Sequence, residues 1–256
     1  HTKTKELRSA STTGTIAYVS RRKFEDLLVP VPPLPVQEEI VRILDTFTEL
    51  EAELEAELEA ELEARTIQYE ETRNRLMAFD AAEGHPLAEL IHELCPQGVK
   101  FLTLGDVASV ERVRTITKAQ TTLGEIPLLA GGRTPAYWHT AHNRSGEHVV
   151  VAGSGAYAGY VSFWDQPSWV SDAFTVVASR GIAHTKYLFY WLSSIQRQLH
   201  QMKRGGGVPH VYAKDVSKLV APIPPLPVQE EIVRILDTFT ELEAELEAEL
   251  EAELEA

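Results

Sequence analysis

Residues 32–64 read PPLPVQEEIVRILDTFTELEAELEAELEAELEA, and residues 224–256 repeat this string of 33 letters without a mismatch. The correspondence continues upstream at single positions, pairing Val19 with Val211 and Leu27 with Leu219. The offset of 192 residues is too long for the repeat of a solenoid and has the size of a domain. The sequence therefore predicts about one and a third copies of a unit in which a globular region precedes a long helix.

The repeated string carries the pattern of a long helix. Pro35 and Pro227 suit a first helical turn, where a missing N–H is harmless. Apolar residues follow at helical spacing, and no Gly or Pro interrupts the chain between Pro35 and Gly84. We predict one helix over about residues 35–79 and a second from Pro227. A helix of this length needs a partner, and the identical second stretch is the obvious candidate.

The ELEA repeats within each string predict a spacer built from paired helices. Their larger apolar row comprises Leu50, Leu54, Leu58 and Leu62, and their small residues are Ala52, Ala56 and Ala60. Small residues let two helix backbones approach closely. Glu residues four apart repel each other by about 0.2–0.5 kcal/mol per pair, so the block does not contact phosphates. Taken alone, the block also fits an ordinary acidic coiled coil.

Charge and cysteine content narrow the classes of function. The net charge is −14, but residues 49–64 and 241–256 each contain eight Glu and no basic residue. Residues 85–220 contain 13 Lys plus Arg, nine Asp plus Glu and eight His, so this region is mildly basic. Cys95 is the single cysteine, which excludes a disulfide framework and a Cys-based zinc site. No apolar run of 18 residues occurs and no signal peptide is recognised, so we expect a cytoplasmic protein that does not enter a membrane.

Between the long helices, short apolar segments alternate with Gly, Asn and Pro. A short helix is predicted over residues 87–95 and a longer one over residues 185–201. Strands are predicted within residues 99–110, with a turn at Gly105, and at residues 126–129, 148–152, 160–164, 174–178 and 208–212. This order predicts an α+β domain with a curled mixed sheet.

Several motifs in this region and in the repeats resemble one known family. Residues 221–233 read APIPPLPVQEEIV and residues 29–41 read VPVPPLPVQEEIV, similar to the entry into the long helices of type I restriction–modification specificity (S) subunits. Residues 129–135 (LAGGRTP), residues 153–161 (GSGAYAGYV) and residues 209–212 (PHVY, followed by Lys214 and Asp215) resemble further motifs of that family, in the same order.

The resemblance implies a division into four segments. Residues 1–31 would be the tail of a first target-recognition domain, and residues 32–84 the long central helix that acts as a coiled-coil spacer. Residues 85–223 would form a complete target-recognition domain, and residues 224–256 the second long helix, antiparallel to the first. A full subunit has two complete recognition domains. The chain is therefore either the C-terminal part of a longer subunit or a half-subunit that dimerises with itself.

The resemblance also implies function and partners. The chain would read one half of a bipartite site in double-stranded DNA and bind methyltransferase (M) subunits on its helices. Restriction (R) subunits would join through the complex. The chain itself would carry no catalytic residues, no metal and no cofactor, since S-adenosylmethionine serves the M subunit.

Basic and polar residues beside Gly-rich turns are the candidate DNA contacts. They are Arg112, Arg114, Lys118, Arg133, Thr134, Asn143, Arg144, Ser154, Tyr157, Lys203, Arg204 and His210. We expect about half of them to face DNA. The four Trp residues are expected in the core, with Trp138 the best candidate for an exception.

The sequence gives less support to nucleotide binding, metal binding or catalysis. Gly153, Gly155 and Gly159 precede a predicted strand and not the helix that a dinucleotide-binding loop requires. His139 and His142 lack further ligands at metal spacing, so a solvated loop is expected there. The motifs of adenine methyltransferases and of P-loop nucleotidases are missing. The alternatives are a coiled-coil protein-interaction module without DNA specificity and, less favoured, a fused methyltransferase.

Overall fold

The computed structural model describes residues 30–79, 85–113 and 115–255, together with Arg21, Glu25 and Leu28. The chain divides between Glu57 and Leu58 into two units. The predicted domain tail at residues 1–31 falls almost entirely outside the described residues. Helix α1 runs over Leu34–Met77, as the uninterrupted helical pattern predicted.

Among the described residues, the second unit contains nine strands and all the helices that follow α1. The strands are β1 (Lys100–Thr103), β2 (Ala108–Arg112), β3 (Leu123–Leu129), β4 (Tyr137–His139), β5 (His148–Ala152), β6 (Val161–Trp164), β7 (Trp169–Val170), β8 (Ala173–Ala178) and β9 (Val220–Ile223). The helices are α2 (Ala88–Leu94), α3 (Leu104–Val107), α4 (Thr185–Ser194), α5 (Gln196–Gln201), α6 (Ala213–Val216) and α7 (Leu226–Glu255), with a 3-10 turn at Lys118–Gln120. Helix and strand together confirm the predicted α+β class.

The strands form three sheets, and the four-stranded one is central. Its order is β2-β8-β5-β6, all antiparallel, with Val149 opposite Val176 and Val151 opposite Phe174. Because successive side chains of a strand point to opposite faces, β5 supplies two cores. Val149 and Val151 belong to the main core, whereas Val150 packs in a smaller cluster with Leu129 and Val170. The other sheets are the pair β1-β9 and the mixed sheet β4-β3-β7, in which β3 and β7 are parallel.

The first turns of α7 are part of the main core. Val228, Ile232 and Leu236 are all fully buried, at the four-residue spacing of one helix face. Gln229, also fully buried, accepts a hydrogen bond from the amide of His184 at 3.0 Å and donates to the carbonyl of Ile182 at 3.1 Å. These bonds satisfy a buried amide that would otherwise cost free energy. They fix α7 against the turn that precedes α4.

An ion pair and a phenol connect α4 to α7 about two turns further along α7. Nζ of Lys186 lies 2.7 Å from Oδ2 of Asp237, and the hydroxyl of Tyr190 donates to Oδ1 of the same carboxylate. Burial raises the pKa of Tyr190 far above its ordinary value, so the phenol stays protonated and remains a donor. Asp237 is therefore held from two sides by α4.

The C-terminal part of α1 pairs with α7 in antiparallel fashion. The ring of Tyr69 lies 6.5 Å from that of Phe239, and Thr66 hydrogen-bonds the carboxyl group of Glu243. Residue numbers rise along one helix as they fall along the other, which confirms the predicted antiparallel pair. Burial raises the pKa of Glu243. Leu76 and Met77 end the helix inside the main core.

The two identical strings lie in different surroundings. Val36, Ile40 and Leu44 are 46%, 45% and 58% exposed, although their counterparts Val228, Ile232 and Leu236 are fully buried. Among the predicted spacer residues, Leu58 and Leu62 are half-buried, whereas Leu50, Leu54, Ala52, Ala56 and Ala60 are exposed. Their role as a spacer stays a prediction.

Some local predictions were wrong. Residues 208–212 do not form a strand, because Pro209 removes a ladder donor, and only His210 forms isolated bridges, with Ser154 and Arg204. The predicted turn at Gly105 lies in the one-turn helix α3. The predicted helix over residues 185–201 is interrupted at Ile195, which divides it into α4 and α5.

The expectation of a solvated loop at His139 was also wrong. This side chain is 6% exposed in β4, bonds Thr122 through Nδ1 and meets the ring of Trp169 edge-on. Trp191 is buried as predicted, and Trp138 is 51% exposed.

Candidate nucleic-acid interface

Three loops that are far apart in sequence meet at one end of the four-stranded sheet. They comprise residues 130–136 after β3, residues 153–160 after β5 and residues 203–212 before α6, and together they form the loop cluster. The amide of Gly155 donates to the carbonyl of Pro209 at 3.0 Å, and the amide of Val211 donates to Gly153 at 3.0 Å. Nζ of Lys203 donates to the carbonyl of Ala156 at 2.8 Å. Backbone bonds therefore hold the second and third loops together.

Two glycines allow the close packing of these loops. A Cβ atom on Gly131 would lie 2.8 Å from the carbonyl oxygen of Ser154, which real side chains do not tolerate. A Cβ atom on Gly153 would lie 2.9 Å from the carbonyl oxygen of Asp172. The Gly-rich motifs therefore serve backbone contact between loops, a use that glycine alone permits.

Arg133 lies at the exposed surface of the cluster, against two aromatic rings. Its Cζ is 5.4 Å from the ring centroid of Tyr157 and 5.6 Å from that of Tyr160, both within the range of a cation–π contact. Thr134, the next residue, is also exposed. The sequence singled out Arg133, Thr134 and Tyr157, and the structure brings them together. Tyr160 was not among the predicted contacts.

Asp172 is a second residue that the sequence did not reveal. It is the one described residue other than Gly with a positive φ, 51°, and its carboxylate accepts a hydrogen bond from the hydroxyl of Ser154. Its carbonyl accepts from the amide of Gly153 at 3.0 Å. A positive φ is uncommon for a residue other than Gly, and such positions cluster at functional sites. No sequence signal marks Asp172, because it stands between two short strands without a Gly or Pro neighbour.

Basic side chains surround this centre. Arg112, at the exposed end of β2, lines a small cleft together with Asp172, His210 and Tyr212. The imidazole of His210 stacks on the ring of Tyr212 with centroids 6.0 Å apart. Arg204 is 66% exposed and its Nη1 lies 3.5 Å from Oδ2 of Asp215. The cluster thus combines positive charge with aromatic faces, a composition typical of nucleic-acid interfaces.

Two predicted contacts lie outside the cluster and already have protein partners. The amide group of Asn143 exchanges two hydrogen bonds with the backbone of Val170, at 2.8 and 2.9 Å. The guanidinium of Arg144 binds Thr175 at 2.9 Å and Glu111 at 3.1 Å. These bonds join the 143–144 loop to the sheets. A role of either residue in DNA contact stays a prediction.

Two further candidates fall outside the part of the chain that the structure describes. Arg114 lies outside the described residues, and the side chain of Lys118, in the 3-10 turn, does as well.

Among the described residues, no group of three or more His, Cys, Asp or Glu side chains is arranged to hold a metal ion. No helix in the described part of the chain combines the length and the apolar composition needed to cross a membrane.

Comparison with known proteins assigns the chain to a family. The sequence profile described as "Type I restriction modification DNA specificity domain" matches residues 1–64 and 96–256. The chain therefore belongs to the family of type I restriction–modification DNA specificity domains.

Individual relatives agree with the family match. The chain is 31% identical over 247 residues to a type I restriction enzyme specificity subunit of Haemophilus influenzae, covering 88% of this chain and 59% of that protein. It is 28% identical to the EcoprrI specificity subunit of Escherichia coli, covering 92% of this chain and 58% of that protein. The chain therefore spans less than two thirds of the length of either relative.

Solved structures of low sequence identity share the fold. The S subunit of the type I restriction–modification system from M. genitalium has a TM-score of 0.67 at 16% identity, over 98% of this chain and 67% of that one. HsdS from Thermoanaerobacter tengcongensis has a TM-score of 0.58 at 20% identity, over 98% and 63%.

Proposed function

We propose that the chain is the DNA-reading component of a type I restriction–modification complex and that the loop cluster faces the DNA. The observation that carries this proposal is the convergence of Arg112, Arg133, Lys203 and Arg204 at one end of the sheet. These four side chains accompany two acidic ones, Asp172 and Asp215, so the loop cluster and its immediate surroundings have an excess of positive charge. Phosphate contacts from such residues position a protein on DNA, and base contacts give it specificity.

The fold supports a rigid presentation of this surface. Val149, Val151, Phe174 and Val176 fill the core beneath the sheet, and the second loop of the cluster extends directly from the end of β5. Binding residues on loops that a rigid scaffold positions are the common arrangement in recognition domains. The chain would thus need no cofactor and would perform no chemistry, since S-adenosylmethionine would be bound by the M subunit.

The exposed apolar face of α1 supports a partner-binding role for the helices. Val36, Ile40, Leu44 and Phe47 are each more than 40% exposed on this helix. Contiguous exposed apolar surface marks sites of protein interaction. In the proposed complex the helices bind M subunits, and R subunits join through them. This function would place the protein in the cytoplasm, where it meets DNA.

Selection from a random duplex library tests the proposal. The chain is purified with and without type I M subunits, and bound duplexes are sequenced. We expect the complex to enrich one bipartite sequence and the chain alone to transfer no methyl group from S-adenosylmethionine. A symmetric selected site would indicate two copies of this chain, and an asymmetric one a longer subunit. No enrichment by the complex would instead favour a coiled-coil interaction module without DNA specificity.

A further inference from the structure

The guanidinium of Arg133 is held by aromatic rings rather than by acidic groups. Within the described residues, no hydrogen bond or ion pair occupies its N–H donors, whereas Arg144 is bound to Glu111 and Arg204 lies beside Asp215. A cation–π contact engages the charge of the guanidinium and occupies none of its five N–H donors. Arg133 therefore presents a full set of donors to a partner outside the chain.

Hydrogen bonds hold the backbone segments that carry Arg133 and the two rings beside it. Tyr157 and Tyr160 belong to one tight turn, in which the amide of Tyr160 donates to the carbonyl of Tyr157 at 2.8 Å. The amide of Gly159 anchors the turn to β5 by donating to the carbonyl of Ala152 at 2.7 Å. The loop that carries Arg133 is closed by a bond of 2.9 Å from the amide of Ala136 to the carbonyl of Leu128. Both halves of the contact are thus tied to strands.

From this geometry we infer that Arg133 reads a guanine through its major-groove edge and that Tyr157 and Tyr160 are its positioning residues. The inference rests on the proposed function. Guanine presents two acceptors, N7 and O6, which match the paired donors of a guanidinium, whereas adenine presents one acceptor beside a donor. A phosphate also accepts two bonds from arginine, but it carries no sequence information. A guanidinium that lies between two rings with its N–H donors unoccupied suits the paired acceptors of a base edge, and the exposed Arg204 remains available for phosphates.

The test uses the full chain with M subunits and duplexes that carry the selected site or single base-pair changes of it. Wild-type protein should prefer G·C at one position by roughly 5- to 150-fold, the range of a bidentate contact. Arg133→Ala should abolish that preference and leave the other positions intact. The double variant Tyr157→Leu, Tyr160→Leu should weaken the preference at the same position. The double variant Tyr157→Phe, Tyr160→Phe should retain it, because a phenyl ring still attracts the cation.

Arg180 provides a matched control. It is exposed and follows β8 at the end opposite Asp172, so Arg180→Ala removes the same charge away from the cluster. This variant should keep the base preference at every position.

Three results would overturn the inference. In the first, Arg133→Ala weakens binding to all duplexes equally and flattens the salt dependence of binding, which indicates a phosphate contact. In the second, the Arg133→Ala variant selects the same DNA site as the wild-type protein. In the third, the double variant Tyr157→Leu, Tyr160→Leu loses the base preference at every position of the site, which indicates general damage to the loops. In each case the wild-type complex still selects a sequence, so the proposed function stands. If wild type selects nothing, the proposed function fails and this inference fails with it.

Discussion

Single buried groups contribute to the response of fold stability to pH, and His148 is the clearest of them. It is 1% exposed in β5, with Nδ1 2.8 Å from the carbonyl of Gly146 and Nε2 2.7 Å from Oγ of Ser168. A carbonyl can only accept, so Nδ1 carries the proton and Nε2 accepts from the serine. Burial lowers the pKa of His148, and the positive charge of Arg144 acts in the same direction. The folded protein therefore holds this imidazole neutral.

We predict that acidification destabilises the fold partly through His148. In the unfolded chain its pKa is about 6.5, so below that pH the unfolded state takes up a proton that the folded state does not. The free energy of unfolding should thus fall as the pH drops through about 6.5 toward the lowered folded pKa. Urea unfolding between pH 5 and 8 measures this slope. His148→Asn should reduce the slope without removing it, because burial also lowers the pKa of His85. An equal slope in wild type and variant would contradict the prediction.

The sequence identified part of the candidate site because Gly-rich turns are visible locally. Arg133 stands beside Gly131 and Gly132, and Lys203 and Arg204 precede three glycines. Asp172 and Tyr160 join the site only through folding, since their partners Ser154 and Arg133 lie 18 and 27 positions away in the chain. Arg144 resembles a surface residue in the sequence for the same reason. Its partner Glu111 is 33 positions distant.

At the scale of elements, the two identical strings have the same intrinsic helix propensity but different packing, so comparing them separates the two effects. Both strings are helical, in α1 and in α7, and the sequence predicted both within two residues of their first residue. The sequence could not predict which copy is buried, because the string is identical. Lys186, Tyr190 and the backbone around Ile182 make that difference for α7.

The same substitution in the two copies should therefore have different effects. We predict that Ile232→Ala lowers the free energy of unfolding by about 2–5 kcal/mol, because it leaves a cavity in the main core. Ile40→Ala removes the same atoms from a side chain that is 45% exposed and should cost less than about 1 kcal/mol. Chemical denaturation of the two variants measures both values. Equal losses would mean that packing against α4 contributes nothing to the stability of α7.

Strands were harder to predict than helices, because pairing depends on distant residues. The apolar runs at β5 and β8 are visible in the sequence, since both faces of these central strands are covered. The short strands β4 and β7 each pair with β3 over three residues or fewer and left no pattern. Residues 208–212 show the opposite error, an apolar segment whose Pro209 prevents a ladder.

At the scale of the whole molecule, we predict that the ELEA blocks set the separation of the DNA half-sites. A four-residue unit adds about 6 Å to a helix and turns it about 40° beyond one revolution. One base pair adds about 3.4 Å and turns DNA by roughly 34°. The rotation of one four-residue unit is close to that of one base pair, whereas its length is closer to that of two base pairs. We weight rotation more strongly, because a domain out of phase with the groove cannot reach the base edges.

We predict that deleting residues 57–60 in a complete subunit shortens the unread spacer of the DNA site by one base pair and preserves both half-site sequences. The methylated sites of the deletion variant, mapped in the complex with M subunits, measure this. Replacing residues 57–60 by four alanines keeps the helix length and should keep the spacer. A deletion variant with an unchanged spacer would leave the block as a plain acidic coiled coil.

The identical strings also make the chain its own reference for measurements of local opening. The intrinsic rate of amide hydrogen exchange depends on a residue and its immediate neighbours, and these are the same for Ile40 and Ile232. Protection of an amide reports the free energy of the opening that exposes it. The difference in protection between such twins therefore isolates the contribution of tertiary structure, with helix propensity and chemistry cancelled position by position along the repeat.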